Sequence, residues 1–221
     1  MKALTAQPNL VEQVRDAILA EIASGAFAPG DRIIQEPIAA ALGVSRQPVQ
    51  QALALLRSQG VLQDAPGRGL QVAGLDPLHV QHIYDLRAAL EGVAARRAAE
   101  LNAERAAKLG PALIEAGRKA VAAGSVARMS VADVKFHEFI YGLSENPLIA
   151  PTLEPHLTYT QRVIGEVLVR DEAPTDIWDQ HEAILKAIAS GKADRAEQLV
   201  RTHLTQAAGF MIQRLRKAAQ P

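Results

Sequence analysis

The sequence contains no cysteine, which excludes disulfides, thiolate metal sites and cysteine nucleophiles together. Aromatic residues make up only 4% of the chain while alanine is abundant, a composition that favours helices over a β-sheet core. No apolar run approaches the roughly 18 residues of a membrane span. The first eight residues also lack the apolar core of a signal peptide. We therefore expect a cytoplasmic, mainly α protein without a membrane segment.

The chain also has no excess of positive or negative charge, because 24 basic residues balance 24 acidic ones. A role in nucleic-acid binding would therefore need a local basic patch rather than a globally basic surface. The length of 221 residues allows one large domain or two modest ones.

The most informative local pattern is a pair of short helices around Gly43. The first covers 36–42, and the second begins at Ser45 and runs to residue 58. Ser45 is a favourable N-cap because its hydroxyl can accept from free N–H groups of the first turn, where Pro48 is also tolerated. The residues predicted to form the buried face are Ala52, Leu53, Leu55 and Leu56. Any helical hairpin would give this pattern, but it is typical of a helix-turn-helix whose second helix enters the DNA major groove.

The segments around this pair complete an N-terminal domain. They are a helix over 8–24, an extended piece at 32–34, and strands at 61–64 and 70–73. The loop that joins the two strands is rich in glycine and carries Arg68. A surface hairpin has the same pattern, but directly after a helix-turn-helix the two strands form a wing whose tip can reach a minor groove or a phosphate. The sequence therefore predicts a winged helix-turn-helix over residues 1–74.

The rest of the chain follows a hinge at Gly74–Pro77 and is nearly all helical. Helices are predicted at 76–100, 103–123, 127–144, 147–169, 174–190 and 192–217, from apolar periodicity and from breaks at Gly, Pro and Asn. Six helices in about 145 residues make an antiparallel helical bundle. The expected fold is thus mainly α, with the winged domain followed by an all-helical domain over 75–221.

Four polar residues fall on apolar helix faces of this second domain: Asp133, His137, His181 and His203. The first two are four positions apart and share one helix face. Each group is costly to bury alone, and a core histidine with its own partner is the ordinary explanation for any single one. Three imidazoles and a carboxylate around one divalent cation satisfy each other, and they suit zinc, nickel, manganese or iron. Spacing alone leaves both interpretations open.

The other histidines are weaker candidates. His79 and His82 lie at the start of the hinge helix, where a solvated or interface role is the simpler interpretation. His156 lies beside an apolar face and is the one further candidate for a pocket.

Three more residues are candidates for contacts with a small molecule. Arg87 lies four positions before Glu91, a spacing that favours an ion pair beside the core, although the arginine could instead hold a carboxylate. Asn146 precedes Pro147 and is interpreted as a helix cap or a polar pocket contact. Arg162 is a candidate to face the bundle interior.

These motifs resemble the GntR family of bacterial transcription regulators, in the subgroup with an all-helical FadR-type C-terminal domain (FCD). The N-terminal match comprises Pro29–Ile33, Leu42–Val49, Ala52-Leu53, Gly60 and the wing. The C-terminal match comprises Leu86–Glu91, Asp133, Phe136-His137, Asn146-Pro147, His181–Ile188 and His203-Leu204. The resemblance covers about residues 10–207, and both halves indicate the same family.

The resemblance implies a homodimer that binds double-stranded, palindromic operator DNA and carries an effector pocket in the helical domain. It also places Asp133, His137, His181 and His203 on the family's positions for a divalent metal ligand set, here zinc, nickel or manganese. Small organic acids are typical effectors. We therefore expect a DNA-binding repressor controlled by a small carboxylate bound at or near the metal.

The sequence departs from the family at two positions of the recognition helix, with Gln47 in place of Thr and Gln50 in place of Arg. Gln50 can pair with adenine but brings no charge, so we expect an atypical operator and a weaker salt dependence. The expected DNA contacts are Arg46 and Gln47 at the bases, Arg32 and Ser45 at phosphates, Gln50, and the wing tip Gly67, Arg68 and Gly69.

Two other functions remain open from the sequence. A metal-dependent enzyme could use the Asp/His₃ site to activate water, but the sequence offers no separate general base beside the four residues. A constitutive DNA-binding architectural protein would need no effector.

Overall fold

The computed structural model describes residues 9–170 and 177–218, and the chain divides into two compact units between Gly74 and Leu75. The predicted helix start at residue 8, the predicted break at 171–174 and the helix start at 174 lie outside the described residues. Every other predicted helix end agrees with the structure within two residues.

The described part of the first unit contains three helices and a small sheet. The helices are α1 (Leu10–Ala23), α2 (Gln35–Leu42) and α3 (Arg46–Ser58), and the strands are β1 (Arg32–Ile33), β2 (Leu62–Asp64) and β3 (Leu70–Val72). Val14 and Ile18 of α1 share one core with Val49, Leu53 and Leu56 of α3. This core fixes α3 on its inner side and leaves its N-terminal polar residues exposed.

Two details of the predicted recognition helix were wrong. Ser45 occupies the N-cap position, but its side chain makes no capping hydrogen bond to any described N–H of the first turn of α3. Leu55 is only half-buried, and Val49 is buried instead. The reason is that Val49, Ala52, Leu53 and Leu56 form the i, i+3, i+4, i+7 stripe, whereas Leu55 lies at its edge.

The wing belongs to a three-stranded antiparallel sheet rather than the two-stranded ribbon that the sequence predicted. The strand order is β1-β3-β2, with Ile33 opposite Leu70 and Leu62 opposite Val72. The extended segment before α2 therefore has a partner, because β3 pairs along both of its edges.

The second unit consists, over its described residues, of six helices, and the predicted mainly α fold is confirmed. They are α4 (Pro77–Leu101), α5 (Ala103–Ala122), α6 (Val126–Leu143), α7 (Ile149–Arg170), α8 (Ile177–Ala189) and α9 (Ala193–Ala218). Alanines on α4 allow close packing against α9, and α5 packs against α6 and α8. Within 9–170 and 177–218, no helix is long and apolar enough to cross a membrane.

The start of α4 is fixed by a side-chain cap and by a tyrosine from α7. The Asp76 carboxylate accepts from the Leu78 N–H at 2.9 Å, and Pro77 occupies the first turn, where it is favoured. The backbone N–H of Asp76 donates to the Tyr159 hydroxyl at 2.8 Å. These two hydrogen bonds fix the residue at which α4 begins.

Close contact between α5 and α8 depends on two glycines. A Cβ at Gly110 would overlap the Leu185 side chain, and one at Gly117 would overlap the Trp178 indole. Because neither glycine has a side chain, α8 approaches α5 closely and Trp178 lies against the α5 backbone.

Candidate metal centre and nucleic-acid interface

Three buried histidines from three helices converge on one point. The ligating nitrogens of His137 (α6), His181 (α8) and His203 (α9) all lie within 4.8 Å of one another, and the Nε2 atoms of His181 and His203 are 3.2 Å apart. Asp133, one turn before His137, places Oδ1 3.6 Å from His181 Nε2 and 3.9 Å from His137 Nε2. The structure thus brings together all four residues that the sequence proposed as ligands.

A buried carboxylate orients the first of these histidines. Glu91 Oε2 lies 2.6 Å from His137 Nδ1, and Glu91 Oε1 accepts from Arg87 Nε at 2.7 Å. Burial alone would raise the pKa of Glu91, but the Arg87 charge and the His137 contact outweigh it and hold that pKa well below its ordinary value. Because an ionised carboxylate only accepts, His137 Nδ1 donates to Glu91, and this hydrogen bond orients the ring with Nε2 toward the cluster.

An amide orients His203 in the same way. Gln180 Oε1 lies 2.9 Å from His203 Nδ1, and an amide oxygen requires a donor. Burial, reinforced by His137 and Arg87, lowers the pKa of His203 to about 3, and burial also lowers the pKa of His181 well below its ordinary value. Both rings are therefore neutral at pH 7, which is the form that binds metal.

Aromatic residues fix the remaining ring. Phe136 stacks on His181 with ring centroids 4.4 Å apart, and Trp178 meets it edge-on at 4.7 Å. These contacts leave His181 no freedom to turn away from the cluster.

The donor set fits a divalent cation. His137 Nε2 is buried without a hydrogen-bond partner among the described residues, so the alternative of individually satisfied core histidines leaves it unexplained. Two nitrogens each about 2.1 Å from one ion would be separated by roughly 3.0 to 3.4 Å at right-angled or tetrahedral geometry. The 3.2 Å between His181 and His203 lies in that range.

A cavity of about 340 Å³ lies beside the cluster. Its polar lining residues are Tyr84, Arg87, Asp133, His137, Gln180, His203 and Gln206. The Arg87 guanidinium packs over the Tyr84 ring, 4.9 Å from its centroid, and burial raises the pKa of Tyr84 to about 12. Arg87 thus forms the predicted ion pair with Glu91 and also borders the cavity.

Two predicted effector contacts are placed elsewhere. Asn146 and Arg162 are not among the described residues that line the cavity. The side chain of Asn146 accepts from the Leu148 N–H at 3.1 Å, which matches its interpretation as a cap ahead of α7. Arg162 is half-buried on α7.

The other three histidines also lie away from this cavity's described lining. His79 packs edge-on against Tyr159 with ring centroids 4.6 Å apart, His156 is half-buried, and His82 is exposed.

The connections between helices that orient the ligands were not predicted from the sequence. The spacing of Arg87 and Glu91 predicted their ion pair, but neither the link from Glu91 to His137 nor a role for Gln180 was predicted. The Glu91–His137 contact joins residues 46 positions apart, so no local spacing indicates it. The position of Gln180, directly before a candidate ligand, was the one available clue.

Polar side chains of the first unit form the candidate nucleic-acid interface. Ser45, Arg46, Gln47 and Gln50 are all exposed on the first turns of α3. Arg46 forms an ion pair with Glu36 of α2. Both sides of this pair are exposed, so the pair is readily exchanged for a phosphate or a base edge.

The wing tip is braced by an arginine that the sequence assigned to phosphate binding. Arg32 donates to the backbone carbonyls of Pro66 at 2.7 Å and Arg68 at 3.0 Å. Its guanidinium therefore shapes the wing loop, while the Arg68 side chain is exposed between Gly67 and Gly69, which both have positive φ.

Comparison with known families agrees with this architecture. The model for the gntR family of bacterial regulatory proteins matches residues 10–72, and the model for the FCD domain matches residues 82–206. The chain belongs to the GntR family. Its members are transcription regulators that bind operator DNA and usually dimerise, so this GntR protein is a transcriptional regulator, and the metalloenzyme alternative is not supported.

Individual relatives are similar over most of the chain. A helix-turn-helix regulator in an unstable DNA locus of Streptomyces ambofaciens is 30% identical over 179 residues, which is 80% of this chain and 75% of that protein. The probable D-xylose utilization operon transcriptional repressor of Paenarthrobacter nicotinovorans is 29% identical, over 92% of this chain and 88% of its own. The solved structure of E. coli McbR/YncC has the same fold, with a TM-score of 0.76, 22% identity, and coverage of 94% and 99% of the two chains.

Proposed function

We propose that this GntR regulator is a repressor whose operator binding is controlled by a small carboxylate bound at or near a divalent metal in the helical unit. One observation carries the proposal, namely the convergence of three buried imidazoles beside a cavity that Arg87 also lines. The repressor relative in Paenarthrobacter nicotinovorans supports the sign of regulation.

Asp133, His137, His181 and His203 would hold the metal. When bound, the metal supplies positive charge and a coordination position for a carboxylate oxygen. Three nitrogen donors and one oxygen suit zinc, nickel or manganese. Glu91 and Gln180 orient the rings of His137 and His203, and such orientation is worth about 10- to 100-fold in metal affinity at comparable sites.

Arg87 would attract the effector's carboxylate. Glu91, 2.7 Å away, pairs with the Arg87 charge. Arg87 can therefore attract a carboxylate and still have an ion-pair partner when no effector is bound. The effector's differential affinity for two packings of the helices would then shift the DNA-binding units between active and inactive arrangements.

The output of this regulator would be the exposed N-terminal part of α3, in successive major grooves of a palindromic operator bound by a homodimer. We assign base contacts to Arg46 and Gln47, phosphate or base contacts to Ser45 and Gln50, and minor-groove or phosphate contacts to the wing tip, Gly67, Arg68 and Gly69. Arg32 would act chiefly by holding the wing loop.

Two measurements test the proposal. Metal analysis of purified protein should find one divalent ion per chain, lost in His203→Ala and retained in His82→Ala, a matched control because His82 is exposed. Operator fragments selected from random DNA should bind the wild-type dimer, and candidate acids should release them only from metal-loaded protein. Absence of sequence-specific DNA binding would overturn the regulator, and release that is independent of metal would overturn its proposed control.

A further inference from the structure

The cavity beside the histidine cluster has two chemically different walls. At one end lie Arg87, Asp133, His137 and His203. Nine of the sixteen described lining residues are apolar, contributed by α5, α6, α7, α8 and α9. The space is therefore amphipathic, with one charged end.

Three of the nitrogen atoms near the charged end are engaged already. Glu91 occupies Arg87 Nε and His137 Nδ1, and Gln180 occupies His203 Nδ1. The nine apolar lining residues offer no side-chain partner to a ligand rich in hydroxyl groups, and each unpaired hydroxyl is costly to bury. The lining thus disfavours polyhydroxylated acids.

The apolar part of the lining offers large surfaces. Trp178 is almost fully buried against α5, and Leu204, Phe210 and Met211 follow one another along the inner face of α9. Aromatic and thioether side chains of this kind accommodate rings and flexible alkyl chains. At about 30 Å³ per water molecule in the liquid, the cavity of about 340 Å³ has room for roughly ten to twelve non-hydrogen atoms.

We propose that the effector is an amphipathic monocarboxylic acid, with its carboxylate toward Arg87 and the histidine cluster and an aryl or medium-length alkyl body against Trp178, Leu204, Phe210 and Met211. This inference rests on the proposed function and specifies the ligand class of the same site. It distinguishes this chain from a regulator built to sense a sugar acid.

The test compares two acids of nearly equal size, 4-phenylbutanoate and gluconate, by calorimetry and by the fluorescence of Trp178, the chain's single tryptophan. Metal-loaded protein should bind 4-phenylbutanoate at least about 30-fold more tightly. Across butanoate, hexanoate and octanoate the affinity should rise about fourfold per methylene, the ratio that corresponds to burying one CH₂. 4-Phenylbutanamide, which lacks the charge, should bind more weakly than its acid.

A variant pair tests the apolar wall directly. Phe210→Ala should weaken 4-phenylbutanoate binding by tenfold or more with unchanged metal content, whereas Phe139→Ala should leave it unchanged, since Phe139 is also half-buried but is not among the described lining residues. Equal or tighter binding of gluconate would overturn this inference alone. Binding of neither acid to metal-loaded protein would overturn the proposed effector control and the inference with it.

Discussion

Substitution of Glu91 by Gln tests whether the buried ion pair organises the helical unit. Arg87 and Glu91 have only 2% and 1% of their side-chain surface exposed, so removing the carboxylate charge leaves a guanidinium without its ion-pair partner in a low-dielectric interior. Loss of one partner of a buried pair costs about 3 to 5 kcal/mol. The amide also places a donor group against either Arg87 Nε or His137 Nδ1, since Glu91 now accepts from both.

The matched control is Glu100→Gln on the same helix. Glu100 also lies four residues after an arginine, Arg96, but this pair is 3.6 Å long and both side chains are well exposed, so its loss should cost no more than about 1 kcal/mol. Urea unfolding followed by Trp178 fluorescence reports on the helical unit. Glu91→Gln should also weaken metal binding by about 10- to 100-fold.

A double variant separates the charge from the packing. Adding Arg87→Met to Glu91→Gln removes the unpaired cation and should recover part of the lost stability. The reasoning is refuted if Glu91→Gln costs no more than Glu100→Gln, or if the double variant is less stable than Glu91→Gln by the full cost of a second independent substitution.

Three further predictions concern pH, DNA and packing. In metal-free protein, His203 has a pKa near 6.5 in the unfolded state and about 3 in the folded state. The contribution of this ring to the free energy of unfolding should therefore be constant above pH 6.5 and fall below it by about 1.4 kcal/mol per pH unit. His203→Gln should remove this slope, and absence of the slope in the wild type would contradict the burial argument. Gln50→Arg should tighten DNA binding and steepen the salt dependence by about one unit of log K per log salt, measured by fluorescence anisotropy; an unchanged slope would place residue 50 away from phosphate. Gly117→Ala should lower the free energy of unfolding by about 1 to 3 kcal/mol because the added methyl overlaps Trp178. Gly142→Ala, with open space around it, should leave that free energy unchanged or raise it. Equal effects of the two substitutions would show that α8 does not pack closely against α5.

Much of this molecule follows from local sequence rules. Helix ends at Gly43 and Gly191 coincide with glycines of positive φ, which end helices because the left-handed conformation costs them little. The convergence of Asp133 with the three histidines was also accessible, because polar groups on apolar faces must find partners in the core. The sequence therefore indicated that these four side chains meet, although each was identified from the apolar pattern of a single helix.

What the sequence did not indicate depends on how separate elements pack. The pairing of β1 with β3 joins segments almost forty residues apart, and two-residue strands carry no periodicity of their own. The Glu91–His137 and Gln180–His203 contacts depend on the relative rotation and axial position of packed helices. Arg32 was assigned to phosphate for its charge, but its reach to the wing carbonyls follows from the same strand pairing.

The charge balance of the N-terminal unit affects how this regulator finds its operator. Residues 1–74 contain six basic and six acidic side chains, Arg46 is paired with Glu36 and Arg32 holds the wing. Non-specific capture by DNA, and the sliding that it permits, depend on basic side chains at phosphates. We expect short residence on the roughly 10⁶ or more competing genomic sites, and therefore a search dominated by repeated three-dimensional encounters. A larger fraction of the regulator molecules in each cell would then be free to bind the operator, but each would find it more slowly.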